Sequence, residues 1–429
     1  MTDRHILICN VFFAPNTYGG ATIVAEEVAR ALRRQTGWRV SALSLWARDD
    51  LLPYSATRCH ADGIDSYLIA LPPHRRAVEA YANPQVTEVL GGLVDTLAPD
   101  LLHVHCVQDM GAGVIETAAT RDIPVVLSVH DYWWVCPRQF MIRPDQTFCG
   151  QSPIDPRACR ACVPSMSGLR TRQGVLMRQA AMAGIVTYPS HFALDLCETS
   201  GLAPGRGVVW QNGVHPPGPT FFADQKARRA ADPRLSFGYL GGPARLKGWH
   251  DIRAAFSGLE RGDFRVTLVD GSTDTSWWTD HQFDDLPGDW QVRPRFGQND
   301  MDSFYAGIDV LLFPSQWKET FGLAIREALA RSIQVIQTDS GGTTEHAGHD
   351  HMRLIPIGAG PGPLREQIEA ALEIGQTIRA PIPVTRFDDQ AAEFAHFARA
   401  LWGGADGKVS PRPAPARPAT RRDSRDTAA

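Results

Sequence analysis

The 429-residue chain has no apolar run near the length of a membrane span, about 18 residues. It has no excess of positive charge either. Its 43 Lys and Arg stand against 47 Asp and Glu, a net charge of −4, so there is no global basic field to gather nucleic acid. The opening, "MTDRHILICNVFFAP", carries Asp3 ahead of a short β-branched run, which reads as a first buried strand and not as a secretory signal. These absences point to a cytoplasmic protein, where thiols stay reduced. The eight cysteines are therefore expected as free thiols or metal ligands rather than disulfides.

What is present is alternation. "HILICNVFF", "WRVSALSLW", "DLLHVHC" and "IPVVLSVHD" are strand-like, and helical periodicity separates them in "GGATIVAEEVARALRRQ", "QVTEVLGGLVDTLAP" and "GAGVIETAATR". The pattern restarts at "LSFGYLGG" and continues through "GWHDIRAAFSGL", "FRVTLVDG", "DVLLFPS", "GLAIREALAR" and "IQVIQTD". Strands alternating with helices predict an α/β fold of two Rossmann-like, doubly wound domains facing a cleft. The Gly- and Pro-rich "SGLAPGRGVVWQNGVHPPGP" marks the break. We expect domains over 1–205 and 206–385, a C-terminal helix over 386–402 packing back on the first domain, and a disordered tail over 403–429.

In "KETFGLAIREALA" two carboxylates, Glu319 and Glu327, flank a strand-to-helix loop. A helix start offers free N–H groups and partial positive charge, which suits a phosphate, and flanking carboxylates suit sugar and ribose hydroxyls. In isolation the same residues also fit a surface loop acid and an ordinary helix acid. His130 ends the strand "PVVLSVHD", where a side chain can reach a cleft. His103 and His105 share one face of their strand by period two, and a structural role fits them better than a metal.

"PSQWKETFGLAIREALA" resembles the E-x7-E signature of retaining glycosyltransferases of family 4, which have the GT-B fold. "FFAPNTYGGA", "PDLLHVHC", "IPVVLSVHD", "VVWQNGV", "FGYLGGPARLKG" and "IQVIQTDSGGTTEH" resemble further segments of that family in the same order. The resemblance implies a hexosyltransferase that takes a UDP- or GDP-linked sugar and needs no metal for catalysis. Glu319 would bond the donor sugar's hydroxyls, Glu327 the ribose hydroxyls, and His130 would orient the sugar. Phe321, Gly322 and Leu323 would face sugar and diphosphate, and Gly19 and Gly20 would let amides approach the phosphate. Lys247 would stabilise the leaving diphosphate. Where the family carries an arginine after the strand's glycine this chain has Gly242, and Arg245 is expected to substitute. The acceptor implied is a saccharide or lipid-linked saccharide of surface polysaccharide, met at the inner face of the membrane. The arginines of "CRACVPSMSGLRTRQGVLMRQ" suit such an approach to anionic lipid. A sugar-phosphate synthase or a non-catalytic nucleotide-sugar-binding protein is the alternative.

One segment, "HDYWWVCPRQFMIRPDQTFCGQSPIDPRACRACV", holds Cys136, Cys149, Cys159 and Cys162. Four thiols including a C-x-x-C pair suit tetrahedral structural zinc, which would hold together a Pro- and Arg-rich stretch short of apolar residues. Free thiols or an iron–sulfur cluster are the other readings.

Overall fold

A computed structural model describes residues 4–346 and 352–403. The expected tail, past Gly403, lies outside the described residues. Eight strands form the first sheet: β1 His5–Cys9, β2 Arg39–Ala47, β3 Ala56–Ala61, β4 Ile64–Leu71, β5 Leu101–Val104, β6 Val125–Ser128, β7 Ile185–Tyr188 and β8 Gly207–Val209. Six form the second: β9 Leu235–Tyr239, β10 Phe264–Asp270, β11 Asp289–Pro294, β12 Val310–Phe313, β13 Gln334–Thr338 and β14 Met352–Ile355. The orders are β3-β4-β2-β1-β5-β6-β7-β8 and β11-β10-β9-β12-β13-β14. Every pairing is parallel except β3 with β4. Each sheet changes direction of winding once, beside β1 and beside β9, and crevices at such switch points open at the strands' carboxyl ends.

The apolar strands are continuous because helices cover both faces. All five residues of β1, β9 and β13 are buried. The edge strand β3 never reaches full burial, and it turns back into β4 through Asp62-Gly63, both at positive φ. One correction falls on the domain boundary. β8 pairs in parallel with β7, so the first sheet runs on to Val209, beyond the break expected at 205.

The helix Phe387–Trp402 lies against the first domain. Phe387, Phe394, Phe397 and Ala398 pack with Ile6, Val28, Leu32 and Trp210 in one core. Gln390 fastens the crossing: its Oε1 accepts from Gly213 N at 2.7 Å, and its carbonyl accepts from Trp210 Nε1 at 3.0 Å. A Cβ on Gly213 would stand 2.4 Å from Phe387 N, so only glycine allows this approach. Among the described residues no helix is long and apolar enough to cross a membrane.

Phe394 is fully buried, and its ring lies 4.3 Å from that of His103. Phe394→Ala should destabilise the protein by about 3–5 kcal/mol, the usual cost of emptying a buried aromatic site. Urea unfolding measures it, and a loss below about 1 kcal/mol would mean that the helix is not part of this core.

Candidate active site

Glu319 lies in the loop between β12 and the helix Leu323–Ala330, and it is 9% exposed. Its N–H donates to Ser340 O at 2.9 Å and its carbonyl accepts from Gly342 N at 3.0 Å, joining two loops at adjacent strand ends. A Cβ on Gly342 would lie 2.1 Å from Thr320 O. The clamp on these loops is Arg326, wholly inside. Its guanidinium donates to the carbonyls of Phe321, Thr343 (2.9 Å), Gly342 (2.8 Å) and Glu345 (2.9 Å). Burial brings its pKa down to about 9, which leaves it charged at neutral pH.

Lys247 ends a single 3₁₀ turn, Arg245–Lys247. Gly248 follows at φ 81, where a Cβ would stand 2.0 Å from Pro314 O. This turn is thereby pressed onto the exit of β12, and Gln316 N donates to Leu246 O at 2.8 Å. Lys247 Nζ then reaches Glu319 Oε1 at 2.7 Å. The same oxygen accepts from the buried Ser315 hydroxyl at 2.8 Å, and the Trp317 ring lies 5.5 Å from the ammonium. Arg245 does not join them. It is exposed, with Asp251 as its charged neighbour. Gly242, at φ 65, lies under the Trp277 ring, which would sit 2.6 Å from a Cβ there.

Glu327 stands one turn into the helix that follows. Its Oε2 accepts from Tyr305 Oη at 2.8 Å. Burial raises its pKa, against the opposing pull of Tyr305, Arg331 and His215. Gly19 opens the helix Gly20–Thr36 at φ 81. A Cβ on Gly20 would lie 3.1 Å from a Leu323 methyl, so Gly20 and Leu323 meet across the two domains. Gly322, also at φ 81, is the residue before the helix start, and the buried Phe321 ring lies 4.2 Å from the Arg326 guanidinium carbon.

His130 follows β6. Its carbonyl accepts from Thr320 Oγ1 at 2.7 Å, a bond between the domains. Its ring stacks on His105, with Nε2 to Nδ1 at 2.8 Å. Burial lowers its pKa to about 4, so the imidazole is neutral at physiological pH. Close by, the Glu345 carboxylate accepts from His191 N (2.8 Å) and Phe192 N (2.6 Å) at the start of the helix His191–Thr199. A cleft of about 750 Å³ runs between the helix Gly20–Thr36 and the second domain, lined among others by Thr17, Glu27, Arg30, His215 and Gln298.

The structure thus gathers Gly20, His130, Lys247, Glu319, Phe321, Gly322, Leu323 and Glu327 around the seam of the two domains. It also supplies residues the sequence did not single out: Ser315, Thr320, Arg326, Tyr305 and Glu345. Arg326 had a visible signal, a cation inside the E-x7-E interval, whereas the partners of Tyr305 and Glu345 lie too far along the chain to suggest themselves.

The four cysteines Cys136, Cys149, Cys159 and Cys162 line one cavity of about 70 Å³. The donor set fits zinc, but the side chains are not drawn together: among the described residues no three His, Cys, Asp or Glu stand where they could hold a metal ion. Burial pushes the Cys136 thiol up to about 11. The segment also touches the site. Phe140 packs edge-on against Trp317 at 4.9 Å, and Gln139 Nε2 donates to Asp131 Oδ2 at 2.6 Å.

Known proteins agree with this architecture. Residues 18–216 match the model of "Glycosyltransferase Family 4", and residues 222–380 that of "Glycosyl transferases group 1". The chain belongs to the family 4 glycosyltransferases. None of the curated proteins matches it in sequence. Among solved structures it is similar to sucrose-phosphate synthase from Thermosynechococcus elongatus (TM-score 0.66, 15% identity, 94% of this chain and 100% of that one). It is also similar to a UDP-forming α,α-trehalose-phosphate synthase from Burkholderia xenovorans in complex with glucose-6-phosphate (0.62, 11%, 93% and 100%). A third is HepE of Anabaena in complex with UDP and glucose (0.56, 17%, 86% and 89%). The shared fold is GT-B.

The neutral His130 gives a test. Its folded-state pKa lies below the ordinary 6.5, so the unfolded chain binds more protons as pH falls. Stability should therefore drop between about pH 6.5 and about 4. His130→Gln removes one titrating group, so its urea midpoint should fall less steeply across that window. Parallel slopes for mutant and wild type would mean that His130 is not held neutral.

Proposed function

We propose that the protein transfers a hexose from a UDP- or GDP-linked donor to an acceptor hydroxyl with retention of configuration. The observation that supports it best is the Lys247–Glu319 pair at 2.7 Å, set at the domain seam beside a helix start. Glu319 accepts hydrogen bonds from the donor sugar's hydroxyls. Lys247 neutralises the charge that grows on the departing diphosphate, the service a metal supplies elsewhere. Amides of Phe321, Gly322 and Leu323 face the diphosphate. Glu327 has one oxygen on Tyr305 and offers the other to the ribose. Gly19 and Gly20 give the phosphates room. His130 orients the sugar from the opposite domain. The leaving phosphate itself takes the acceptor proton in a front-face displacement, and closure of the domains keeps water out.

For the acceptor we favour a saccharide or lipid-linked saccharide of a surface polysaccharide, approached from the inner face of a membrane through the arginines at 160–178. A sugar phosphate is the second reading, which the fold shared with two sugar-phosphate synthases favours. Trials of UDP- and GDP-sugars with both acceptor classes separate the two. Glu319→Ala should abolish transfer without unfolding the protein, and Lys247→Ala should cost about 10²–10³-fold in rate. Both should be read in EDTA, where the wild type is expected to stay active. Near wild-type transfer by Glu319→Ala would remove the assignment.

A structural zinc is the companion proposal for Cys136, Cys149, Cys159 and Cys162, supported by the one cavity that all four line. Four thiolates would leave no open position, so the metal would take no part in the reaction. Untagged protein should then carry about one zinc per chain, and Cys159→Ser should lower stability more than donor affinity. Active protein free of metal, with all four thiols titratable, would reject the site.

A further inference from the structure

His103 and His105 belong to no donor contact, yet both are buried, at 0% and 1% exposure. They continue inward from His130 as one chain of hydrogen bonds. His130 Nε2 meets His105 Nδ1 at 2.8 Å, His105 Nε2 meets His103 Nδ1 at 3.3 Å, and His103 Nε2 meets Ser128 Oγ at 2.8 Å. Ser128 Oγ in turn meets Thr187 Oγ1 at 2.8 Å. The register makes this possible: β5, β6 and β7 lie side by side, with Val104 opposite Leu127 and Ser128 opposite Thr187. Phe394 stacks on His103 from the C-terminal helix and holds that ring in place.

We propose that His103 and His105 are positioning residues, which with His130 form a single tautomeric unit whose sense is set at Ser128. The argument is one of proton counting. Each ring is linked through both nitrogens, Nδ1 on one side and Nε2 on the other, except that His130 turns its Nδ1 away from the chain. A neutral imidazole has one N–H and one lone pair. If Ser128 donates to His103 Nε2, then His103 donates from Nδ1, His105 donates from Nδ1, and His130 carries its proton on Nδ1. If Ser128 accepts instead, all three rings carry the proton on Nε2, and His130 Nδ1 is a bare acceptor. Any mixed pattern sets two N–H groups or two lone pairs face to face in a buried contact and forfeits a hydrogen bond. Burial depresses the pKa of all three, which keeps an extra proton out of the chain. Two hydroxyls at the far end of this chain, those of Ser128 and Thr187, thus decide whether His130 meets a ligand as donor or as acceptor. The consequence for transfer rests on the reading of His130 as a donor-sugar contact, but the tautomeric unit does not.

Imidazole ¹⁵N-labelled protein near pH 7, with each ring assigned by His→Gln substitution, provides the test. Long-range ¹H–¹⁵N correlation should show one and the same tautomer in all three rings. In Ser128→Ala, and in His105→Phe, His130 should populate both tautomers. Turnover of UDP-glucose as probe should fall in both variants by up to about 10²-fold in kcat with little change in KM, as expected for a misoriented contact. Two different tautomers among the wild-type rings, or a His130 tautomer unmoved in both variants, would overturn the proposal. Uniform tautomers together with undiminished turnover by His130→Ala would instead strike the donor-site reading and leave the relay standing.

Discussion

One buried guanidinium holds the cleft together. Arg326 reaches four carbonyl oxygens, that of Phe321 in the loop after β12 and those of Gly342, Thr343 and Glu345 in the loop after β13. Those carbonyls point inward because both chains turn sharply at glycines, Gly322 at φ 81 and Gly341 at φ 68. Phe321, Gly342 and Thr343 are buried, so a planar, multi-armed donor suits their carbonyls, and a lysine's single ammonium could not span all four. Everything on the surface of the two loops inherits that fixation. Glu319 is aimed at Lys247, Thr320 at His130, and Glu345 at the first amides of the helix His191–Thr199. A charge outside the proposed donor contacts therefore aligns the groups that are proposed to make them.

The electrostatics of the pair at 2.7 Å follow from this support. Lys247 Nζ stands between the Glu319 carboxylate and the face of Trp317, with Ser315 sharing the carboxylate oxygen. On the proposed reading, an incoming diphosphate meets a cation that is already desolvated on two sides, in a wall of low polarisability where its charge acts strongly. The position of Trp317 depends in turn on Phe140 and Tyr132, both from the cysteine-rich segment. Order in that segment is thus felt at Lys247 through two aromatic contacts, whether or not a metal provides the order.

Much of the site could be read in the sequence because it lies on strand ends, where the chain passes from apolar run to helix and the intervening polar residues stand out. Glu319, Glu327, Lys247 and His130 all announce themselves in this way. The hairpin β3–β4 did not, although Asp62-Gly63 is a hairpin turn, because an edge strand of mixed polarity lacks the apolar run that marks its neighbours. The surroundings of Arg245 were not legible for a different reason. Spacing along the loop cannot reveal that Trp277, from a loop 30 or so residues on, would cover Gly242 and leave Arg245 facing solvent beside Asp251. His103 and His105 were legible as a one-sided pair, but their bond to His130 depends on strand register, which no periodicity records.

The C-terminal helix fixes where the two domains are joined. The chain leaves the first domain through Trp210–Val214 and returns to it at Arg386, where Val214 and Arg386 form a lone parallel bridge. Both crossings are fastened to the first domain, by Gln390 on one side and by the approach of Phe387 to Gly213 on the other. Any relative rotation of the domains must therefore bend the chain after Val214 and before Arg386. The stretches next to these points, "HPPGP" and "APIPV", are themselves tied to the second domain, by Gly218 N to Asp302 Oδ2 at 2.7 Å and by Ile382 N to Leu329 O at 3.0 Å, and their prolines fix φ locally, which confines any bending to the few residues beside Val214 and Arg386. The far edge of the second domain would swing about this point, whereas the Glu345 and Thr320 bonds at the seam would be made or lost as a set.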